Sequence, residues 1–195
     1  MGLGSSTSQT SHPEGEPRYW YRDNFFMTTD KSRLDAKLVN DVFDSDLMWW
    51  NTALEPDQMT KMLDNCLTLA VYWVPETEAH MKEHGAPRRQ QGQDIQFVGF
   101  ARLVTDYVTF AYLTDVFVLD DYQRRGLASW MMRAIKDVVD GWPDLRGLML
   151  MTHDEAAARM YKSTLGAVHF DDGPSAGLTV LEMAGRAEKP IPKQH

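Results

Sequence analysis

The sequence has almost no cysteine and no apolar run of membrane-spanning length. Cys66 is the single cysteine among 195 residues, which excludes an intrachain disulfide framework and metal sites built from cysteine clusters. We therefore expect a reducing compartment and no bound metal. No signal peptide is visible either, so we expect a cytoplasmic protein without an integral membrane segment.

An excess of basic residues is also missing. Asp and Glu number 28 against 20 Lys and Arg, giving a formal net charge of −8. A nucleic-acid-binding surface needs basic residues to neutralise phosphates, so the charge argues against a nucleic acid partner. The P-loop pattern Gly-x-x-x-x-Gly-Lys-Ser/Thr and the dinucleotide pattern Gly-x-Gly-x-x-Gly are both absent. Their absence removes the main support for a P-loop nucleotide site and for nicotinamide or flavin binding.

The length of the chain, 195 residues, is enough for one domain with a sizeable core. The first 17 residues are polar and rich in Gly, Ser, Thr and Pro, which predicts a disordered tail. We expect a single domain at 18–184 and a C-terminal tail at 185–195. Residues 1–6 match the N-myristoylation pattern at Gly2, although no polybasic stretch follows them.

Hydrophobic periodicity and turn residues predict an alternation of strands and helices along the domain. Between residues 75 and 94 the Gly, Pro, Arg and Gln content predicts a long exposed loop. The predicted elements are a strand at 19–28, a helix at 32–43 capped by Ser32, a helix at 55–65, strands at 67–74, 95–105 and 108–119, a helix after residue 126, a strand at 148–152, a helix at 154–166 and a final strand at 177–183.

The most informative stretch is 116–129, where an apolar strand passes through a glycine-bearing turn directly into a helix. The first N–H groups of a helix have no partner within the helix, and together with the helix dipole they attract anions. Gly126 allows the backbone to approach a bulky phosphate closely. The stretch therefore predicts a pyrophosphate-binding loop formed by Gln123, Arg124, Arg125, Gly126, Leu127, Ala128 and Ser129.

This loop resembles the acetyl-CoA-binding motif Gln/Arg-x-x-Gly-x-Gly/Ala of the GNAT superfamily of N-acyltransferases, with Gln123, Gly126 and Ala128 at its defining positions. A second segment is similar to the family's Asn-x-x-Ala-x-x-Leu-Tyr-x-x-x-Gly-Phe. Asp154 replaces the Asn, and one extra residue precedes Gly166. The resemblance implies an α/β fold: a mixed, largely antiparallel sheet with a splayed central strand pair and helices on both faces. It also implies acetyl-CoA as co-substrate.

The resemblance further implies roles for individual residues. Tyr161 stands where a family tyrosine often lies near the CoA sulfur, and a phenol suits the protonation of a thiolate leaving group. Backbone N–H groups at Phe117 and Val118 would polarise the thioester carbonyl and pair with the pantetheine arm. Asp154, at the start of the second motif, is expected on the cofactor side.

The general base is open at this stage. Asp115 precedes the pantetheine-contacting pair, and strand alternation would place it on the same face as Phe117. It could bind a cationic amine, relay a proton through water, or pair with an arginine such as Arg102. His153 is another candidate for the general base, because histidine is the side chain best suited to exchange a proton near neutral pH. Weaker candidates for lining the site are Tyr112, Asp106 and the pair Trp49 and Trp50.

Two functional classes are compatible with these residues. The first is an N-acetyltransferase acting on a small amine, a polyamine or a peptide amine, and the second is a non-catalytic acyl-CoA sensor or interaction module. O-acetylation and longer acyl donors are also open, because the loop motif binds CoA and not the acyl group. A homodimer is an expectation drawn from the family.

Overall fold

The computed structural model describes residues 15–87, 94–183 and 185. These residues form a mixed α/β fold of six strands and five α-helices, with short 3-10 turns between them. In chain order the elements are β1 (Tyr19–Arg22), β2 (Phe25–Thr28), α1 (Ala36–Phe43), α2 (Pro56–Asp64), β3 (Leu67–Trp73), α3 (Glu78–His84), β4 (Gln96–Thr105), β5 (Phe110–Val118), α4 (Leu127–Val139), β6 (Gly147–Leu150) and α5 (Glu155–Leu165).

The strands form one sheet in sequence order, β1 to β6. All neighbouring pairs are antiparallel except β5 and β6, which run parallel and pair only from Phe110–Gly147 to Leu113–Leu150. Beyond Leu113, β5 continues to Val118 beside β4 while β6 has ended. The predicted splayed strand pair is therefore confirmed, and it opens the sheet between β5 and β6.

A hydrophobic core lies on each face of the sheet. Strand β3 has the unbroken apolar sequence of a strand that is buried on both sides. Leu69 and Val71 face the core beneath α4 and α5, whereas Ala70 and Tyr72 face the core beneath α1 and α2. The two faces thus hold different helices, as the sequence predicted.

Short polar side chains set where the helices begin. Asp35 accepts a hydrogen bond from the Lys37 N–H at the start of α1, and Asp154 accepts one from the Ala156 N–H at the start of α5. Helix α2 begins with Pro56, whose missing N–H costs nothing in a first turn. The predicted cap Ser32 is wrong. The Asp30 side chain binds the Ser32 N–H and forms a 3-10 turn that ends before α1.

A bulge interrupts β5. Phe100 lies opposite Phe117 but Arg102 lies opposite Thr114, so two residues of β5, Asp115 and Val116, face one residue of β4. Asp115 has a φ of 52°, the left-handed conformation that such a bulge accommodates. The predicted strict alternation is therefore wrong here. Leu113 and Val118 share the α4 core, while Phe117 turns to the α1 core.

Three other predicted elements differ from the structure. The strand at 19–28 is a hairpin, β1 and β2, with Asp23 in the left-handed conformation at its turn (φ 52°). The loop at 75–94 contains α3, which is capped by Thr77 and anchored by the buried Met81. The strand at 177–183 is absent, because these described residues form no ladder with another strand.

The two predicted tails lie largely outside the described part of the chain. Most of the predicted tail, including Gly2, and residues 186–195 lie beyond the described ranges. Among the helices within those ranges, none combines the length and apolar character that crossing a membrane requires.

Candidate active site

The end of β5 is tied to the predicted phosphate loop by Gln123. Its Nε2 donates to the Val118 carbonyl at 3.0 Å and to the Asp120 carboxylate at 2.8 Å. Between them, Asp120–Tyr122 form a 3-10 turn. The defining glutamine of the motif therefore fixes the loop to the strand in this structure.

The loop brings the chain into α4 through two left-handed residues, Arg124 (φ 59°) and Gly126 (φ 72°). Gly126 is the N-cap, and within the described residues no side chain caps this helix. The first-turn N–H groups of Leu127, Ala128 and Ser129 therefore lack intrahelical partners. Glycine suits this position because a side chain in the left-handed region is strained. The arrangement has the features of an anion-binding helix N-terminus.

Three arginines surround the loop. Arg124 and Arg125 are exposed, and the Arg125 side chain donates to the Asp121 carbonyl at 3.0 Å while stacking on the Tyr122 ring. Arg22 reaches the loop from β1 and donates to the carbonyls of Arg125 and Gly126. The chain is acidic overall, yet three arginines come together at this loop.

Strand β5 turns peptide groups toward the opening beside the loop. The Leu119 N–H donates to the Val98 carbonyl of β4 at 2.9 Å. Backbone N–H and C=O groups alternate in direction along an antiparallel ladder. Those of Phe117 therefore face β4, as the Leu119 N–H does, and the N–H and C=O of Val118 face the other way, toward the opening. Phe117 instead contributes its ring, which contacts Phe97 and Phe100. Of the predicted pair, Val118 is the one whose N–H faces the opening, while its carbonyl accepts from Gln123.

Tyr161 is buried between α5 and the sheet, with 9% of its surface exposed. Burial, assisted by the negative charge of Asp154, raises the pKa of its phenol to about 12. The phenol therefore keeps its proton at neutral pH. This is the protonation state that a general acid requires.

Asp115 lies at the bulge and accepts hydrogen bonds from Arg102, Asn51 and, at 3.4 Å, the Thr114 hydroxyl. Arg102 binds its Oδ2 through Nε at 2.7 Å and Nη2 at 2.5 Å, and the Asn51 amide donates to Oδ1 at 3.1 Å. Only 4% of the Asp115 side chain is exposed. Of the three alternatives for this residue, the structure shows the arginine pair.

The residues that follow α1 reach both walls of the splayed opening. Asn51 contacts Asp115 on β5, and the Trp49 ring lies 5.3 Å from the His153 ring just beyond β6. Trp50 packs edge-on against Trp49 at 5.5 Å. The segment from Trp49 to Asn51 therefore bridges the gap between the two strands, with His153 and two tryptophans at its edge.

Comparison with known proteins now decides the family. The profile described as "Acetyltransferase (GNAT) family" matches residues 46–167. FG08082 of Gibberella zeae, a candidate acetyltransferase, is 32% identical over 173 residues, which cover 87% of this chain and 96% of that protein. The chain belongs to the GNAT acetyltransferase family. It is accordingly an acyltransferase.

Solved GNAT structures have the same fold. A candidate GNAT acetyltransferase from Xanthomonas campestris pv. campestris is 25% identical, with a TM-score of 0.54 over 85% of this chain and 97% of that one. The GNAT family protein SP0256 of Streptococcus pneumoniae is 16% identical, with a TM-score of 0.53 over 88% of this chain and 99% of that one. The predicted fold class is confirmed.

Three other predicted site residues of this GNAT protein, Asp106, Asp154 and Tyr112, can now be placed in the structure. Asp106 accepts hydrogen bonds from the Thr109 hydroxyl and from the N–H groups of Val108, Thr109 and Phe110, which hold the pKa of its carboxyl far below the usual range. It stabilises the β4–β5 turn, at the opposite end of β5 from the loop. Asp154 caps α5. Tyr112 is half-buried, and burial together with the charge of Asp115 raises its pKa.

Sequence reasoning missed Asn51 and Arg22. Both act across large separations, 64 residues from Asn51 to Asp115 and 104 from Arg22 to Gly126. No local pattern marks either residue, because their roles depend on tertiary contacts alone.

Proposed function

We propose that this GNAT protein transfers the acetyl group of acetyl-CoA to a primary amine of a small molecule, a polyamine or a peptide by direct attack on the thioester. The observation that carries the proposal is the uncapped N-terminus of α4, reached through a left-handed glycine at the end of the splayed strand. Its first-turn N–H groups suit the pyrophosphate. The Val118 N–H, which faces the opening, suits the pantetheine arm.

The acid in this proposal is Tyr161. The amine nitrogen attacks the thioester carbonyl carbon, the carbon–sulfur bond breaks, and the thiolate takes the phenolic proton. Its raised pKa makes the phenol a donor that stays protonated before the reaction. The products are the acetamide and CoA thiol, and solvent returns the proton to the phenolate.

The base in this proposal is His153. The Asp115 carboxylate is engaged by Arg102 and Asn51, so it serves to hold the bulge and the bridging segment in place. His153 is exposed and stands beside Trp49 at the opposite wall. A neutral imidazole there would take the proton that the attacking amine loses. Trp49 and Trp50 would line the acceptor side.

Calorimetric titration with acetyl-CoA tests the cofactor site. Gly126→Asp should abolish binding, because it adds a negative charge at the helix N-terminus on a strained backbone, with its Cβ 3.8 Å from Arg22 Nη1. Gly166→Asp is the matched control. Gly166 has nearly the same φ (71°) and open space around it, but it ends α5. Equal acetyl-CoA affinity in wild-type and Gly126→Asp proteins would contradict the proposal.

A panel of amines then tests the acceptor class. Thiol release from acetyl-CoA in the presence of one class of amine, with the matching acetamide found by mass spectrometry, would support the N-acetyltransferase. Release with alcohols alone would contradict it and favour O-acetylation.

A further inference from the structure

Arg22 is fixed against the phosphate loop from two sides. Its Nη2 donates to the Arg125 carbonyl at 2.9 Å and its Nη1 to the Gly126 carbonyl at 3.3 Å. The guanidinium also stacks on the Trp130 ring, 4.9 Å from its centroid. Strand β1 and the first turn of α4 are thereby joined through one side chain.

The two carbonyls determine where two N–H groups point. A trans peptide is planar, so its C=O and N–H point in opposite directions. The Arg125 carbonyl shares a peptide with the Gly126 N–H, and the Gly126 carbonyl shares one with the Leu127 N–H. Arg22 holds the Arg125 carbonyl toward β1, and it holds the Gly126 carbonyl together with the Trp130 N–H, which donates to the same oxygen at 3.0 Å. Both N–H groups therefore point away from β1.

We propose that Arg22 is a positioning residue that aims the Gly126 and Leu127 N–H groups at the pyrophosphate of CoA. The inference rests on the proposed function, since it takes acetyl-CoA as the ligand of the loop. It adds a residue from β1, which lies outside the matched family region that begins at residue 46.

The loop has a physical need for such a residue. Gly126 has more conformational freedom than any other residue type, Arg124 is also left-handed, and no described side chain caps α4. A loop that is ordered before binding loses less entropy when the ligand arrives. A cation on both carbonyls also polarises the peptides, which strengthens their N–H groups as donors.

The geometry distinguishes positioning from direct phosphate binding. Both Nη atoms of Arg22 donate to carbonyls, and its Nε is buried, makes no hydrogen bond within the described residues and lies 3.7 Å from the Asp23 carboxylate. The planar fork of arginine spans two acceptors, whereas the single ammonium of lysine does not reproduce that fork. Charge alone therefore does not replace Arg22.

Arg18 provides a matched control. It precedes β1 and donates through Nη1 to the Asp137 carbonyl of α4 at 3.2 Å. It thus joins the same two parts of the fold at the other end of the helix. Arg18→Met removes an arginine–carbonyl bond without touching the loop.

The test compares Arg22→Met, Arg22→Lys and Arg18→Met with the wild type by ¹⁵N relaxation and calorimetry. We expect lower order parameters for the Gly126 and Leu127 amides in both Arg22 variants. We also expect acetyl-CoA Kd to rise about tenfold or more in both, the size expected for lost charge-assisted hydrogen bonds. Arg18→Met should match the wild type in both measurements.

Three outcomes would overturn the inference. The first is a wild-type acetyl-CoA affinity in Arg22→Lys, which would mean that charge is sufficient. The others are unchanged order parameters at Gly126 and Leu127 in Arg22→Met, and changes in Arg18→Met as large as those in the Arg22 variants. If wild-type protein failed to bind acetyl-CoA, the proposed function would fall, and the relaxation data would still decide whether Arg22 orders the loop.

Discussion

Tyr161 is buried, and the pKa of its phenol is raised to about 12. If the phenol protonates the departing thiolate, Tyr161→Phe should lower kcat on the order of ten- to a thousandfold. Acetyl-CoA affinity should stay unchanged, because the phosphate loop is untouched. Thiol-release kinetics and calorimetry measure the two quantities.

Tyr72→Phe is the control for that substitution. Tyr72 is also buried, but on the opposite face of the sheet, where its hydroxyl donates to the Arg33 carbonyl at 2.8 Å. We expect its kcat to equal that of the wild type. An unchanged kcat in Tyr161→Phe would reduce Tyr161 to a packing residue.

Substitutions of the two candidate bases, His153 and Asp115, should have opposite effects on turnover and on stability. His153→Gln should lower kcat on the order of a hundredfold, the effect of a lost general base, with little change in stability, because the ring is exposed. Asp115→Asn should destabilise the fold by about 1–3 kcal/mol, because Arg102 loses its charged partner. Urea denaturation and turnover on the same samples separate these effects. A larger kcat loss in Asp115→Asn than in His153→Gln would reverse the assignment.

Asp154 lies at the N-cap of helix α5. The family resemblance instead implies that it lies on the cofactor side. Asp154→Ala should lower the free energy of unfolding by about 1 kcal/mol, the usual value of such a cap. Asp35→Ala at α1 has the same geometry and is the control. Acetyl-CoA affinity should be unchanged in both variants. Weaker binding in Asp154→Ala alone would make Asp154 a cofactor ligand.

The prediction of helices and strands was right where signals within the segment agree, and it was wrong where a strand depends on a neighbouring strand. Helix α2 was predicted from Pro56, which suits a first turn, and this signal is local. The apolar run at 177–183 also predicted a strand, but a strand exists only where a neighbour accepts its hydrogen bonds. Helix α3 was missed because Met81 is its one buried residue, so no helical periodicity is visible in the sequence.

The candidate site also contains features that short motifs predict and features that depend on contacts between distant segments. The glycine turn into α4 and the place of Tyr161 on α5 could be predicted, because each belongs to a short contiguous motif. The β5 bulge, the Arg102–Asp115 pair and the Trp49–His153 contact could not be established from spacing, since each depends on how distant segments meet. For Asp115 in particular, the sequence left three alternatives open, and the structure adds the contact with Arg102.

The whole molecule is acidic, with a net charge of −8, while Arg124 and Arg125 are exposed at the loop. Long-range repulsion of the CoA phosphates and local attraction by these arginines have opposite salt dependences. We expect the local term to dominate, so acetyl-CoA Kd should rise several-fold between about 0.05 and 0.5 M salt.

Calorimetry at several salt concentrations measures this dependence, and Arg124→Gln should flatten it. A Kd that falls as salt is added would mean that the overall charge controls binding.

The bulge in β5 makes this one point of the strand tolerant of a deletion. Two residues, Asp115 and Val116, occupy the place opposite one residue of β4. The alternation of side chains counts the two as one, so loss of one of them would remove the bulge and leave Phe117 on the α1 face and Val118 on the α4 face. Homologues one residue shorter here should therefore keep both cores and lose the bulge at which Arg102 and Asn51 hold Asp115.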